Sequence, residues 1–115
     1  MRVIFIQGLF AATAYARLVS VDQLYKQAVL KDFALIPVAA GEASADQVCQ
    51  LIEKFWEQHD TLVVISSDLS HFLDYQAAQK LDRKTSVMIE KLQYKRLENN
   101  SACGRIPLSG LMKLA

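Results

Sequence analysis

Short apolar runs alternate with stretches of helical spacing along the chain. Val3-Ile4-Phe5-Ile6 is rich in β-branched and aromatic residues and is bounded by Gly8, which predicts a strand. Phe33-Ala34-Leu35-Ile36-Pro37-Val38 is a second apolar run, closed by Gly41. Pro37 lacks a backbone donor, which places this strand at a sheet edge or puts Pro37 near the strand's end. Thr61-Leu62-Val63-Val64-Ile65 is continuously apolar, the kind of strand buried on both faces of a parallel sheet. Between the second and third runs, Ser44-Ala45-Asp46-Gln47 has the S-x-x-Q form of a capping box. Val48, Leu51, Ile52, Phe55 and Trp56 follow at helical spacing, and the helix ends at His59-Asp60. Strand, helix, strand is the βαβ order, so the runs at 33–38 and 62–65 are expected to be parallel, with a right-handed crossover.

Downstream, Tyr75, Ala78, Leu81, Thr85, Met88, Ile89 and Leu92 keep helical spacing and predict a long helix. Asn99-Asn100-Ser101 reads as a loop, and Pro107 suits the first turn of a last helix with Leu108, Leu111, Met112 and Leu114 on its apolar face. The stretch from Leu18 to Lys31 shows only a weak helical pattern through Leu24, Ala28 and Leu30. Phe55, Trp56 and Tyr75 read as core, and the charge-rich stretch from Lys80 to Arg96 as a solvated helix face. The fold class expected is α/β, a mixed or parallel sheet flanked by helices. At 115 residues it forms a single domain, without repeat or linker.

Composition narrows the function. Apolar residues make up 52% and charged residues 22%, enough apolar surface to offset chain entropy, so disorder is not expected. Thirteen basic against 12 acidic residues give a net charge of +1, which implies no nucleic-acid face. No apolar run approaches the roughly 20 residues that span a bilayer, so no membrane partner is expected. Cys49 and Cys103 form no CxxC pair, and a reducing, cytoplasmic setting is the default. The alternative is secretion: Met1-Arg2, an apolar stretch to Ala12 and Ala14-Tyr15-Ala16 have the outline of a signal peptide. Gln7 and Gly8 interrupt that stretch, which favours the strand reading.

Candidate chemistry gathers after the third run, at Ser66-Ser67-Asp68-Leu69-Ser70-His71, where open α/β sheets place their ligands. Asp68 and His71 are three positions apart and would share a face if a helix began there. A carboxylate beside an imidazole can orient it, fix its tautomer or share a metal. The plainer alternative, favoured by spacing alone, is that Ser67 or Asp68 simply caps the next helix. Ser66, Ser67 and Ser70 invite a hydrolase reading, but there is no GxSxG elbow, capping and hydrogen bonding at the strand end explain them better, and a serine hydrolase using Ser67 and His71 ranks last. Cys103, near Arg105 and a helix N-terminus, is a candidate thiolate, hence nucleophile or metal ligand; a buried inert thiol is an equal alternative. Arg105 could hold a ligand carboxylate or phosphate bidentately, or pair with a surface acid. Cys49 reads as packing, and His59 has no assigned function.

Two separated segments carry a resemblance. The strand and SSDLSH sequence from Leu62 to Phe72, with Tyr75, Ala78, Asp82 and Thr85 after it, resembles the strand–SSDLSH–helix segment of the Memo family. Ala102-Cys103-Gly104-Arg105-Ile106-Pro107-Leu108 resembles that family's ACGR-x-P segment, and the run from Phe33 to Gly41 its preceding strand. The resemblance covers Phe33 to Ala115 and is faint from Met1 to Leu30. It implies a fold like part of the class III extradiol dioxygenases. It also implies a pocket for a redox metal, iron or copper, held by two upstream histidines and the cysteine. By position, Cys103 is the implied metal ligand, Asp68 and His71 stand beside the metal, and His71 is a substitute ligand. Thiolate with imidazole suits iron or copper. The two upstream histidines have no counterpart here, the segment between Val21 and Lys31 is shortened, and the chain stops inside the helix after Pro107. The expectation is therefore a fragment with an incomplete site, its missing ligands supplied by another chain. The alternative is a non-catalytic remnant or interaction module, a homo-oligomer or one with a partner chain covering its truncated edges. If the site exists, Asp68, His71, Cys103 and Arg105 are expected in one cleft at the carboxyl end of the 62–65 strand.

Overall fold

A computed structural model describes residues 1–8 and 31–115. The weak helical pattern that begins at Leu18 lies outside the described residues. Three strands, β1 (Arg2–Gln7), β2 (Ala34–Ala39) and β3 (Thr61–Ser66), and three helices, α1 (Ala45–Trp56), α2 (Tyr75–Glu90) and α3 (Arg105–Leu114), are joined by loops and a 3-10 turn at Tyr94–Arg96. The strands form one parallel sheet in the order β2-β1-β3. The α/β class is as expected, and the described sheet is parallel.

The stretch Val3 to Ile6 is a strand, and it takes the centre. Val3, Ile4, Phe5 and Ile6 are all buried, as a strand covered on both faces must be. The strands β2 and β3 are parallel, as expected, but β1 lies between them, and β3, expected to be buried on both faces, is a half-buried edge among the described residues with Leu62 exposed. Pro37 explains why β2 is an edge among the described residues. The amides of Ala34 and Ala40 donate to the carbonyls of Met1 and Gln7, at 3.0 and 2.8 Å. Alternation along the strand therefore turns the Pro37 nitrogen away from β1, where its missing N–H breaks no ladder bond.

Helix α1 starts with the capping box read from the sequence. Ser44 Oγ accepts from the Gln47 amide at 3.2 Å, and the Ser44 amide donates to Gln47 Oε1 at 2.8 Å. Its stripe packs Val48 and Ile52 on Ile4 and Ile6. Each such fully buried side chain contributes about 1.5–3 kcal/mol relative to exposure. Two residues expected in the core are on the surface. Trp56, at the margin of the stripe and the end of α1, is 47% exposed, and Tyr75, the first residue of α2, is 76% exposed. Phe55 does pack against the core.

Helix α3 lies against α1. A Cβ on Gly110 would stand 2.7 Å from Val48 Cβ and 3.0 Å from the Ala45 carbonyl oxygen, so the close approach requires glycine. Lys113 and Asp46 form an ion pair across the same interface. Met88, Leu97 and Met112 make a second buried cluster that ties α2 and the 3-10 turn to α3. Among the described residues no helix is long and apolar enough to cross a membrane.

Candidate functional site

The chain leaves β3 at Ser66 and runs irregularly to Asp74. Asp74 caps α2, its Oδ1 accepting from the Ala77 amide at 2.9 Å. Neither Ser67 nor Asp68 is the cap, and Asp68 and His71 do not share a helical face. Phe72, with φ of +58°, turns the backbone out of any helical path between them and Asp74. The loop is fastened to α2 instead: the Ser70 amide donates to Asp82 Oδ1 at 2.9 Å.

Its other fastening is to the segment before α3. The Cys103 amide donates to the Asp68 carbonyl at 3.1 Å, and the Asp68 amide donates to Cys103 Sγ at 3.1 Å. Ser67 Oγ accepts from the Gly104 amide at 2.9 Å and donates to the Asp68 carbonyl at 2.9 Å. Two glycines permit this packing. A Cβ at Gly8, just past β1, would meet the Cys103 carbonyl oxygen at 2.5 Å, and one at Gly104 would meet Ser67 Cβ at 2.6 Å. The thiol-bearing segment is therefore wedged between the ends of β1 and β3, at the carboxyl end of the sheet.

This brings three candidates together. One donor atom each from Asp68, His71 and Cys103 lies within 4.8 Å of the others. Asp68 and His71 are exposed and Cys103 half-buried. Metal–donor bonds of about 2.0–2.3 Å allow two donors on one ion to stand up to about 4.5 Å apart. Sulfur, nitrogen and oxygen donors together fit a borderline transition metal rather than magnesium or calcium.

Arg105 opens α3 two residues after the thiol. Its guanidinium makes no ion pair among the described residues. The Ser67 hydroxyl oxygen lies 2.9 Å from the Asp68 carbonyl and 3.9 Å from Cys103 Sγ, and among the described residues no hydrogen bond joins it to His71, the partner a hydrolase nucleophile would need. The His71 ring instead lies beside the Phe72 ring, centroids 6.0 Å apart, with Phe72 fully exposed. Cys49 is a half-buried free thiol on α1, and His59 is exposed beyond that helix.

Hydrogen bonding by Ser67 at the strand end was legible, but not its partner Gly104, and the roles of Gly8, Asp74 and Asp82 were not legible. Gly104 directly after the thiol was the one local signal of a close backbone approach.

The chain matches the family model described as Memo-like protein over residues 7–115, a match that starts upstream of Phe33 and includes every residue of the site. No curated protein and no solved structure matches it.

Proposed function

The chain belongs to the Memo-like protein family, and on that premise we propose that Cys103 and His71, with Asp68 beside them, hold an iron or copper ion. The observation that carries this reading is the convergence of the three donors, with Asp68 and Cys103 35 residues apart in the chain, within 4.8 Å. Asp68, His71 and Cys103 would together give three protein donors, the number typical of a catalytic site, in place of the two upstream histidines that have no counterpart in this chain. A bound iron or copper ion would supply redox chemistry or polarise a substrate oxygen there. Asp68 orients the imidazole or takes part in ligation. Arg105, close to the thiol in sequence, holds a carboxylate or phosphate of the ligand. Two free thiols suit a reducing, cytoplasmic compartment.

Anaerobic calorimetric titration with ferrous iron or cuprous copper tests the reading. One ion bound per chain, lost in Cys103→Ala, is the expected result. No binding, or binding unchanged in Cys103→Ala, contradicts it.

A second reading, an interaction module, is favoured by the surface along β3. A groove of about 350 Å³ is lined by Phe55, Trp56, Thr61, Leu62, Val63 and Leu111. Trp56 and Leu62 there are 47% and 43% exposed. A second copy or a partner chain would cover it. Sedimentation that shows a monomer at every concentration counts against self-association.

A further inference from the structure

We propose that Ser67 is a positioning residue for the Cys103 thiol, fixing the backbone that presents sulfur to the metal without being a ligand. The inference rests on the metal-site reading above. The Ser67 hydroxyl oxygen accepts from the Gly104 amide and lies within donating distance of the Asp68 carbonyl, each at 2.9 Å, and it stands 3.9 Å from Cys103 Sγ itself. The same carbonyl receives the Cys103 amide at 3.1 Å, and the Asp68 amide reaches Cys103 Sγ at 3.1 Å. These bonds close a ring through Ser67, Asp68, Cys103 and Gly104. Apart from the sulfur itself, the hydroxyl is the one side-chain group in that ring.

Gly104 shows how closely the ring is fitted. An added Cβ would lie 2.6 Å from Ser67 Cβ and 2.7 Å from Ser67 Oγ, so the backbone rests directly on the serine. Removing the hydroxyl takes the acceptor from the Gly104 amide and one donor from the Asp68 carbonyl. The segment carrying Cys103 then loses its register on the loop carrying Asp68 and His71, although all three metal donors remain. Loss of a group that orients a ligand commonly weakens metal binding about 10- to 100-fold.

Cobalt(II) is the probe, because a cobalt–thiolate bond gives a charge-transfer absorption that reports the sulfur directly. The wild-type chain should show that band, and Cys103→Ala should lack it. Ser67→Ala should bind cobalt about 10- to 100-fold more weakly, with the band weakened or moved, and Ser67→Thr, which keeps the hydroxyl, should restore both. A purely structural serine would lower the melting temperature of Ser67→Ala and leave affinity and band unchanged; that result overturns the proposal. A wild-type band untouched by Ser67→Ala refutes the positioning role alone, whereas no wild-type band refutes the metal site and the role with it. Should Ser67→Ala fail to fold, amide hydrogen exchange on the wild-type chain decides. Slow exchange at Gly104 supports the hydroxyl clamp, and exchange at the rate of an open amide overturns it.

Discussion

Asp68 and Cys103 hold each other by their backbones: each amide donates to the other residue, at 3.1 Å in both directions, one to sulfur and one to a carbonyl. The bond pair joins the loop after β3 to the segment before α3, across 35 residues of chain. The thiol is therefore gripped by the same loop that carries the other two donors. That loop is in turn anchored on α2 through Ser70 and Asp82. The site's geometry depends on backbone contacts as much as on its three donor side chains.

The cap of α2 separates structural from functional carboxylates. Asp74→Ala should destabilise the chain by about 1 kcal/mol, the usual loss for an N-cap, read by urea unfolding. Asp68→Asn should leave hydrogen exchange in the first turn of α2 as in the wild type. Fraying of that turn in Asp68→Asn would restore the capping role to Asp68.

Gly110→Ala sets two effects against each other. Alanine gains about 1 kcal/mol of helix propensity. Its Cβ would stand 2.7 Å from Val48 Cβ and 3.0 Å from a rigid backbone carbonyl. Overpacking of this kind costs about 1–3 kcal/mol, so a net loss of up to about 2 kcal/mol is expected in denaturant melts. Combining it with Val48→Ala should cost less than the sum of the two single changes. A stabilised Gly110→Ala would show that α1 and α3 are not packed this closely.

Much of the fold was legible because its signals are local. The apolar runs, the Ser44 box and the stripe of α1 each depend on a few neighbouring residues, and each became the element expected. The placement of β1 between β2 and β3 was not legible, since strand order is decided by pairing between distant segments. Ser67 and Asp68 read as caps for α2, but the cap is Asp74, because Phe72 turns the backbone before the helix begins. Trp56 and Tyr75 have core-like side chains but stand at the last position of α1 and the first of α2, where both are exposed. Within the site, Asp68, His71 and Cys103 could be named from their types and order. The service of Ser67 to Gly104, 37 residues away, had no local trace.

Phe72 carries backbone strain with no burial to offset it. Its φ is +58° and its side chain is fully exposed. The left-handed region costs an ordinary L-residue about 1–2 kcal/mol, and asparagine tolerates it better. Phe72→Asn should raise stability by up to about 1 kcal/mol in thermal melts. A marked loss would show that the ring packs on another part of the chain.

The Lys113–Asp46 pair predicts an alkaline signature. Its hydrogen bond to Asp46, and then the attraction of that carboxylate, hold the Lys113 pKa above its ordinary 10.5. A group raised on folding stabilises fully below its unfolded value and ceases to do so as pH climbs through the folded one. The difference in melting temperature between wild type and Asp46→Asn should thus be steady through neutral pH and shrink above pH 10.5. A difference that grows in alkali would contradict the pairing.

The most direct test of the metal site is X-ray absorption at the zinc edge of the zinc-loaded chain, zinc serving as a redox-silent probe. The convergence of Asp68, His71 and Cys103 predicts one sulfur at about 2.3 Å together with imidazole nitrogen at about 2.0 Å, the sulfur shell vanishing in Cys103→Ala. A first shell of nitrogen and oxygen alone, the same with and without Cys103, would contradict it.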